Sequence, residues 1–123
     1  MTHWFTSDLH LGHENVALMH RGARSVEQHD QAIVENLLRC LQSGDDLYIL
    51  GDLSLGRKRD IDHAVTLLTP VARRVGYKHM HLIRGNHDPK AKWATQRLAE
   101  VFSTITDTMV LQVADMPPLI LSH

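Results

Sequence analysis

Apolar residues recur along this chain of 123 residues in two rhythms, one helical and one extended. Ile33, Val34, Leu37, Leu38 and Leu41 stand three and four apart, which places them on one stripe of a helix. Ser25, with Gln28 three residues on, has the form of a capping box and predicts where that helix opens. Gly44, just beyond Leu41, fits a C-terminal stop. Cys40 lies near the stripe and is expected to be a small buried residue. A second amphipathic helix is predicted over 60–68, carrying Ile61, Ala64, Val65, Leu67 and Leu68. Thr69-Pro70 then predicts a fresh, short helical turn with proline at its first position, ended by Gly76. A third helix is expected over 93–98, and a weak helical signal runs from Val16 to His20 before Arg21-Gly22 breaks it.

The extended rhythm falls between these helices. Leu47-Tyr48-Ile49-Leu50 is apolar throughout and bounded by acidic residues and glycine, as a strand buried on both faces would be. Trp4-Phe5-Thr6-Ser7 and Met80-His81-Leu82-Ile83 read as two further strands. Near the end, Met109–Val113 and Leu119–Leu121 flank Ala114-Asp115-Met116-Pro117-Pro118, a hairpin connection. Strands alternating with helices, then strands in succession, predict one layered α/β domain over 1–123, part parallel and part antiparallel. No internal repeat or interdomain linker interrupts it.

Composition narrows the function classes. Apolar residues make up 43% and charged residues 22%, with a net charge of -1, so no basic nucleic-acid stripe or acidic tail stands out. One cysteine allows no intrachain disulfide, and a cytoplasmic location is the expectation. The N-terminus lacks the form of a signal peptide, and no apolar run is long enough for a membrane span. The departure from ordinary composition is ten histidines.

Four polar motifs sit at the ends of predicted strands: Asp8-Leu9-His10, Gly51-Asp52, Gly85-Asn86-His87-Asp88 and Ser122-His123. In open α/β sheets, ligands gather at the carboxyl ends of strands. On an extended segment Asp8 and His10 would point the same way, with Leu9 toward the core. Gly85 would permit a sharp turn, Asn86 offers a carbonyl oxygen, and His87 a group that transfers protons near neutrality. Carboxylate, imidazole and amide oxygen together suit a divalent ion such as Mn, Fe, Zn or Ni. Each motif alone could be an ordinary turn.

In this order and spacing the motifs resemble the calcineurin-like metallophosphoesterase superfamily, whose pattern runs DxH, GD, GNH(D/E), a later histidine, then GHxH. The resemblance covers essentially the whole chain. The runs Thr6–Asn15 and Tyr48–Ser54 look like the short phage and bacterial members. It implies a four-layer α/β/β/α sandwich that hydrolyses phosphate mono- or diesters with a two-metal-activated hydroxide. By that likeness Asp8 and His10 would hold the first ion, Asp52 would bridge both, and Asn86 and His123 would hold the second. Mn is the ion expected to serve in vitro. His87 would act as proton donor and charge stabiliser beside the scissile phosphate. The closing GHxH does not occur before the chain stops at His123, so the expectation is a truncated form lacking one histidine per ion and the C-terminal strands. The rival expectation is a metal-binding or protein-interaction module of the same fold without turnover.

Several residues admit two readings. His13 and Asn15 could touch substrate phosphate or cap the following helix, and Arg21 and Arg84 could hold phosphate oxygens or simply be solvated. Asp88 could orient His87 by a hydrogen bond or cap the turn before Pro89. His79 and His81 are expected on a solvent-facing edge or a helix-covered face, and His3, His20, His29 and His63 on the surface. Among partners, a phosphate-ester substrate is implied and a membrane is not. Nucleic acid gains no support from charge, and an open apolar sheet edge would favour a homo-oligomer.

Overall fold

Four parallel strands carry the architecture. In the computed structural model, which describes residues 2–123, β1 (His3–Thr6), β2 (Asp46–Leu50), β3 (Met80–Ile83) and β4 (Thr104–Thr106) lie side by side in that order. Phe5 stands beside Tyr48, Ile49 beside Leu82, and Leu82 beside Ile105. Parallel neighbours require crossover connections, and helices supply them here. Helix α1 (Val26–Cys40) joins β1 to β2, α2 (Lys58–Val75) joins β2 to β3, and α3 (Lys92–Leu98) joins β3 to β4. An antiparallel pair follows, β5 (Thr108–Leu111) with β6 (Leu119–Ser122), the predicted hairpin.

Alternation along the strands explains the continuous apolar runs. Leu47, Ile49, Met80 and Leu82 enter a core with Ile61, Leu68, Val71 and Leu98 from the helices. Tyr48 and Ile83 face the other way, against Leu121, Met109, Leu111 and Leu119 of the hairpin. The chain thus forms a helical layer, a parallel sheet and an antiparallel pair on the sheet's far face. All four parallel strands end toward the same rim, which is where the polar motifs lie. Val110 and Ile120 pair across the hairpin on its outer face and are exposed. Among the described residues no helix is long and apolar enough to cross a membrane.

Local structure departs from expectation at identifiable points. Ser25 Oγ accepts from the Gln28 amide at 3.0 Å, but the Gln28 side chain accepts from the Arg24 amide instead of closing the box. Helix α1 ends at Cys40, four residues before Gly44 (φ 88°), and Cys40 is exposed, not buried. Helix α2 does not break at Pro70. A proline inside a helix costs roughly 3 kcal/mol, yet the helix runs on to Val75 because Val71, Ala72 and Val75 continue the buried stripe. Strand β4 escaped the sequence pattern because Thr104-Ile105-Thr106 offers only one apolar residue.

The histidine expectations also change. His79 and His81 bracket the start of β3, an interior strand, and both bond the Asp46 carboxylate, at 2.9 and 3.0 Å. His3 Nδ1 lies 3.8 Å from the same group. These imidazoles hold a half-buried carboxylate at the amino ends of the strands, the rim opposite the motifs.

Candidate metal centre

The segment after β1 does not stay extended. The Asp8 amide donates to Gly51 O (3.0 Å), the His10 amide to Asp52 O (3.1 Å) and the Leu11 amide to Leu53 O (2.9 Å). Residues 8–11 therefore run beside 51–53, but Asp8 (φ 55°), His10 (φ 49°) and Asp52 (φ 49°) are all left-handed. Such a conformation costs a non-glycine residue roughly 1–2 kcal/mol. Strain of this kind persists where surrounding contacts over-determine it, and it clusters at functional sites. The expectation that Asp8 and His10 converge through strand alternation thus has the wrong backbone. Two left-handed residues flank buried Leu9 and bring the side chains together, Asp8 Oδ1 lying 3.8 Å from His10 Nε2.

Asp8, His10 and Asp52 each present a donor atom within 4.8 Å of the others. His123, at the end of β6, adds its Nε2 at 3.2 Å from Asp8 Oδ1 and 3.6 Å from Asp52 Oδ2. His87 grips Asp52 twice: its amide donates to Oδ1 at 3.0 Å, and its Nδ1 is 3.1 Å from Oδ2. Its ring is half exposed and stands 6.0 Å, edge-on, from that of His10. Asn86 is exposed and lines a cleft of about 560 Å³ with Arg84, Lys90 and His123.

Glycine is required here by proximity. A Cβ on Gly85 would stand 2.7 Å from Asp52 Oδ1 and 2.8 Å from His123 Cγ. The expected turn is there, the Asp88 amide donating to Gly85 O at 3.2 Å, but the positive φ belongs to Gly51 (82°), so what demands glycine at 85 is close approach. A Cβ on Gly51 would strike the His123 ring.

The electrostatics favour ligation. The hydrogen bond from His123 holds the Asp8 carboxyl below its ordinary range. Burial works to raise Asp52, but the His87 amide and ring, with charge from His123 and His87, bring it below the ordinary range. Burial lowers the His10 imidazole, with Asp52 opposing, so the neutral form is favoured. His123 is raised, chiefly by its bond to Asp8.

The sequence pattern of the calcineurin-like phosphoesterase family matches residues 1–119. The chain belongs to that family. It is 39% identical over 85 residues to the Gene 66 protein of Mycobacterium phage L5, covering 69% of this chain and 39% of the phage protein. The Gene 66 protein of Mycobacterium phage D29 is 35% identical over 109 residues, covering 86% of this chain and 51% of that one. The chain therefore spans about half or less of each phage relative. The crystal structure of AQ665 from Aquifex aeolicus, a protein of unknown function, superposes with a TM-score of 0.74 at 29% identity, over 98% of this chain and 59% of that one.

Around this centre the residues that admitted two readings take definite positions. His13 Nδ1 accepts from the Val16 amide (3.3 Å), capping the π-helical turn Val16–His20, while its ring stands 5.4 Å edge-on from His10. Asn15 makes no side-chain cap bond and lines a second cleft, of about 580 Å³, with His13, Arg57 and Arg59. Arg21 is turned away from a substrate role: it donates to the carbonyls of Asp8 (2.6 Å) and Leu9 (3.1 Å). Arg84 pairs with Asp107 at 3.0 Å. Buried Asp88 does not orient His87. Its oxygens accept from the Leu53 amide (3.0 Å) and the Gly85 amide (2.8 Å), stitching two motif loops together. Burial pushes its carboxyl up, against those two amides.

Residues the sequence reading passed over stand behind the site. Asp30 on α1 is buried and accepts from the Gly12 amide at 2.9 and 3.1 Å. His29 Nδ1 and His63 Nε2 each lie 2.8 Å from its oxygens. His29 is buried, against the expectation of a surface residue, whereas His63 is exposed as expected but bonded to Asp30. The one available signal was a carboxylate placed on the apolar side of an amphipathic helix.

Proposed function

We propose that this chain carries the metal-binding centre of a phosphoesterase, with Asp8, His10, Asp52, Asn86 and His123 as ligands of two divalent ions and His87 as the proton donor. The observation that carries the reading is the convergence of Asp8, His10 and Asp52 within 4.8 Å at the carboxyl ends of parallel strands. The donors fit a cation. Among the described residues neither carboxylate has a lysine or arginine ion pair, and His10 Nδ1 is buried without a hydrogen-bond partner. Two adjacent carboxylates compensated only by imidazoles suit a hard or borderline divalent ion. Such ions supply charge for the phosphoryl oxygens and lower the pKa of water toward neutrality.

The chain's own groups divide the remaining work. Asp8 and Asp52 stay ionised at neutral pH, the form that ligates. His10 is favoured neutral, whereas His123 must first release the proton that Asp8 stabilises, so metal uptake at this site is proton-linked. His87 uses Nδ1 on Asp52, which leaves Nε2 to hold a proton for the departing ester oxygen. Clefts open at His13 and at Asn86–His123, leaving room for a group on each ester oxygen and favouring a phosphodiester over a monoester. Hydrolysis of bis- and mono-nitrophenyl phosphate with Mn²⁺ tests this. The expected result is faster diester turnover, lost in Asp52→Asn and reduced about 10²-fold or more in His87→Ala. Turnover that is indifferent to both substitutions would overturn the assignment.

A further inference from the structure

The left-handed turn that presents Asp8 and His10 is held from behind by a hydrogen-bonded chain running through two helices. Arg21 donates to the carbonyls of Asp8 and Leu9 and, through its other contact, reaches His29 Nε2 at 2.8 Å. A guanidinium can only donate, so His29 Nε2 is the acceptor and Nδ1 carries the hydrogen of the neutral ring. That hydrogen points at Asp30 Oδ1, 2.8 Å away. Asp30 in turn takes the Gly12 amide on both oxygens and His63 Nε2 on Oδ2. The carbonyl side of the turn (residues 8 and 9) and its amide side (residue 12) are thus tied to one buried carboxylate.

We infer that Asp30 is a positioning residue for the metal centre: with His29, His63 and Arg21 it fixes the turn over 8–12 in the conformation that aims Asp8 and His10 at a shared cation. The inference rests on the metal-site reading above.

The backbone explains why such a clamp is needed. Asp8, His10 and Gly12 have φ of 55°, 49° and 72°, three left-handed residues in alternation. Left to itself a segment with two non-glycine residues in that region would relax toward ordinary φ. The amides of Asp8, His10 and Leu11 are anchored to the loop over 51–53. That leaves Gly12, where the chain turns away toward His13, and Asp30 is its acceptor. Asp30 is 2% exposed, so water does not substitute for it. A Cβ on Gly12 would meet His63 Cδ2 at 3.2 Å, so the clamp packs directly on the turn. Groups that orient metal ligands from behind typically contribute 10–100-fold to metal affinity.

The test compares wild type, Asp30→Asn and His63→Ala. Amide hydrogen exchange at His10, Leu11 and Gly12 is measured on metal-free protein, and Mn²⁺ affinity by titration. Asp30→Asn should speed exchange at Gly12 at least 10-fold and weaken Mn²⁺ binding about 10–100-fold. His63→Ala, at a half-exposed position, should move both readouts the same way by a few-fold, and it serves if Asp30→Asn does not fold. Unchanged exchange at Gly12 in both variants would overturn the clamp. Faster exchange with unchanged Mn²⁺ affinity would reduce Asp30 to a structural residue and overturn its positioning role alone. A wild-type chain that binds no Mn²⁺ would overturn the metal-site reading and the positioning role together.

Discussion

Replacing Asp88 with alanine should separate the two motif loops that it ties. Its carboxylate is 5% exposed and accepts from the amides of Leu53 and Gly85. Alanine leaves both N–H groups without that partner, and each buried, unsatisfied donor costs roughly 1–3 kcal/mol. The Gly85 amide is only partly buried, so it belongs at the low end. One term opposes the loss: burial disfavours the charged carboxyl, and the Asp52 charge adds to that. The net expectation is a loss of about 2–4 kcal/mol. At this chain length that corresponds to a Tm lowered by roughly 6–15 °C. Thermal unfolding followed by circular dichroism reads it directly. Asp107→Ala is the control: Asp107 is half exposed and bonds Arg84 and Lys90 on the surface, so its loss should leave Tm nearly unchanged. Because the Gly85 loop places Asn86 and His87, Mn²⁺ binding should also weaken in Asp88→Ala and not in Asp107→Ala. An Asp88→Ala Tm within about 2 °C of wild type would refute the stitching role.

Other outcomes follow from the same geometry. Gly85→Ala should impair Mn²⁺ binding, because the added methyl displaces Asp52 or His123, whereas Gly22→Ala, with open space around it at φ 66°, should lower only stability; equal metal affinity in both would contradict the close-approach role. In metal-free protein the Asp8–His123 pair should stabilise between pH about 4 and 6.5. Asp8 is shifted down, so its share is lost as pH falls through its folded value; His123 is shifted up, so its share is lost as pH rises through its own. Asp8 is about half exposed, so the decline in stability from pH 6 to 9 should be under about 1 kcal/mol and absent in His123→Ala; a decline that survives the substitution would assign it elsewhere. Pro70→Ala should raise Tm by restoring a helix amide, with a gain of roughly 1–2 kcal/mol after the unfolded-state offset; an unchanged or lower Tm would mean the helix is already adapted to proline there.

Much of the fold could be read from period alone. The stripe of α1 and the continuous apolar runs of β2 and β3 are strong because each sets several apolar residues against the shared core. What failed has local causes. Pro70 reads as a break, but the stripe on its far side outweighs a missing amide. Three-residue β4 is too short to show alternation. The motif residues could be placed at strand ends, yet their left-handed backbones could not, since nothing in Asp8-Leu9-His10 distinguishes an extended segment from a strained one. Asp30, His29 and His63 were out of reach for another reason. They lie 17 to 51 residues from Gly12, on helices whose faces the pattern could orient but not bring into contact. The carboxylates of the proposed cation site, Asp8 and Asp52, had sequence motifs around them; those that hold backbone did not, apart from Asp88.

Asp8, His10 and Asp52 are proposed to form a cation site in this phosphoesterase-family chain. Equilibrium dialysis against Mn²⁺, with metal counted per chain for wild type and Asp52→Asn, tests it most directly. Mn²⁺ should be bound by the wild type and lost, or weakened at least 100-fold, in the variant. Absence of Mn²⁺ from the wild type, or equal binding by both proteins, would contradict it.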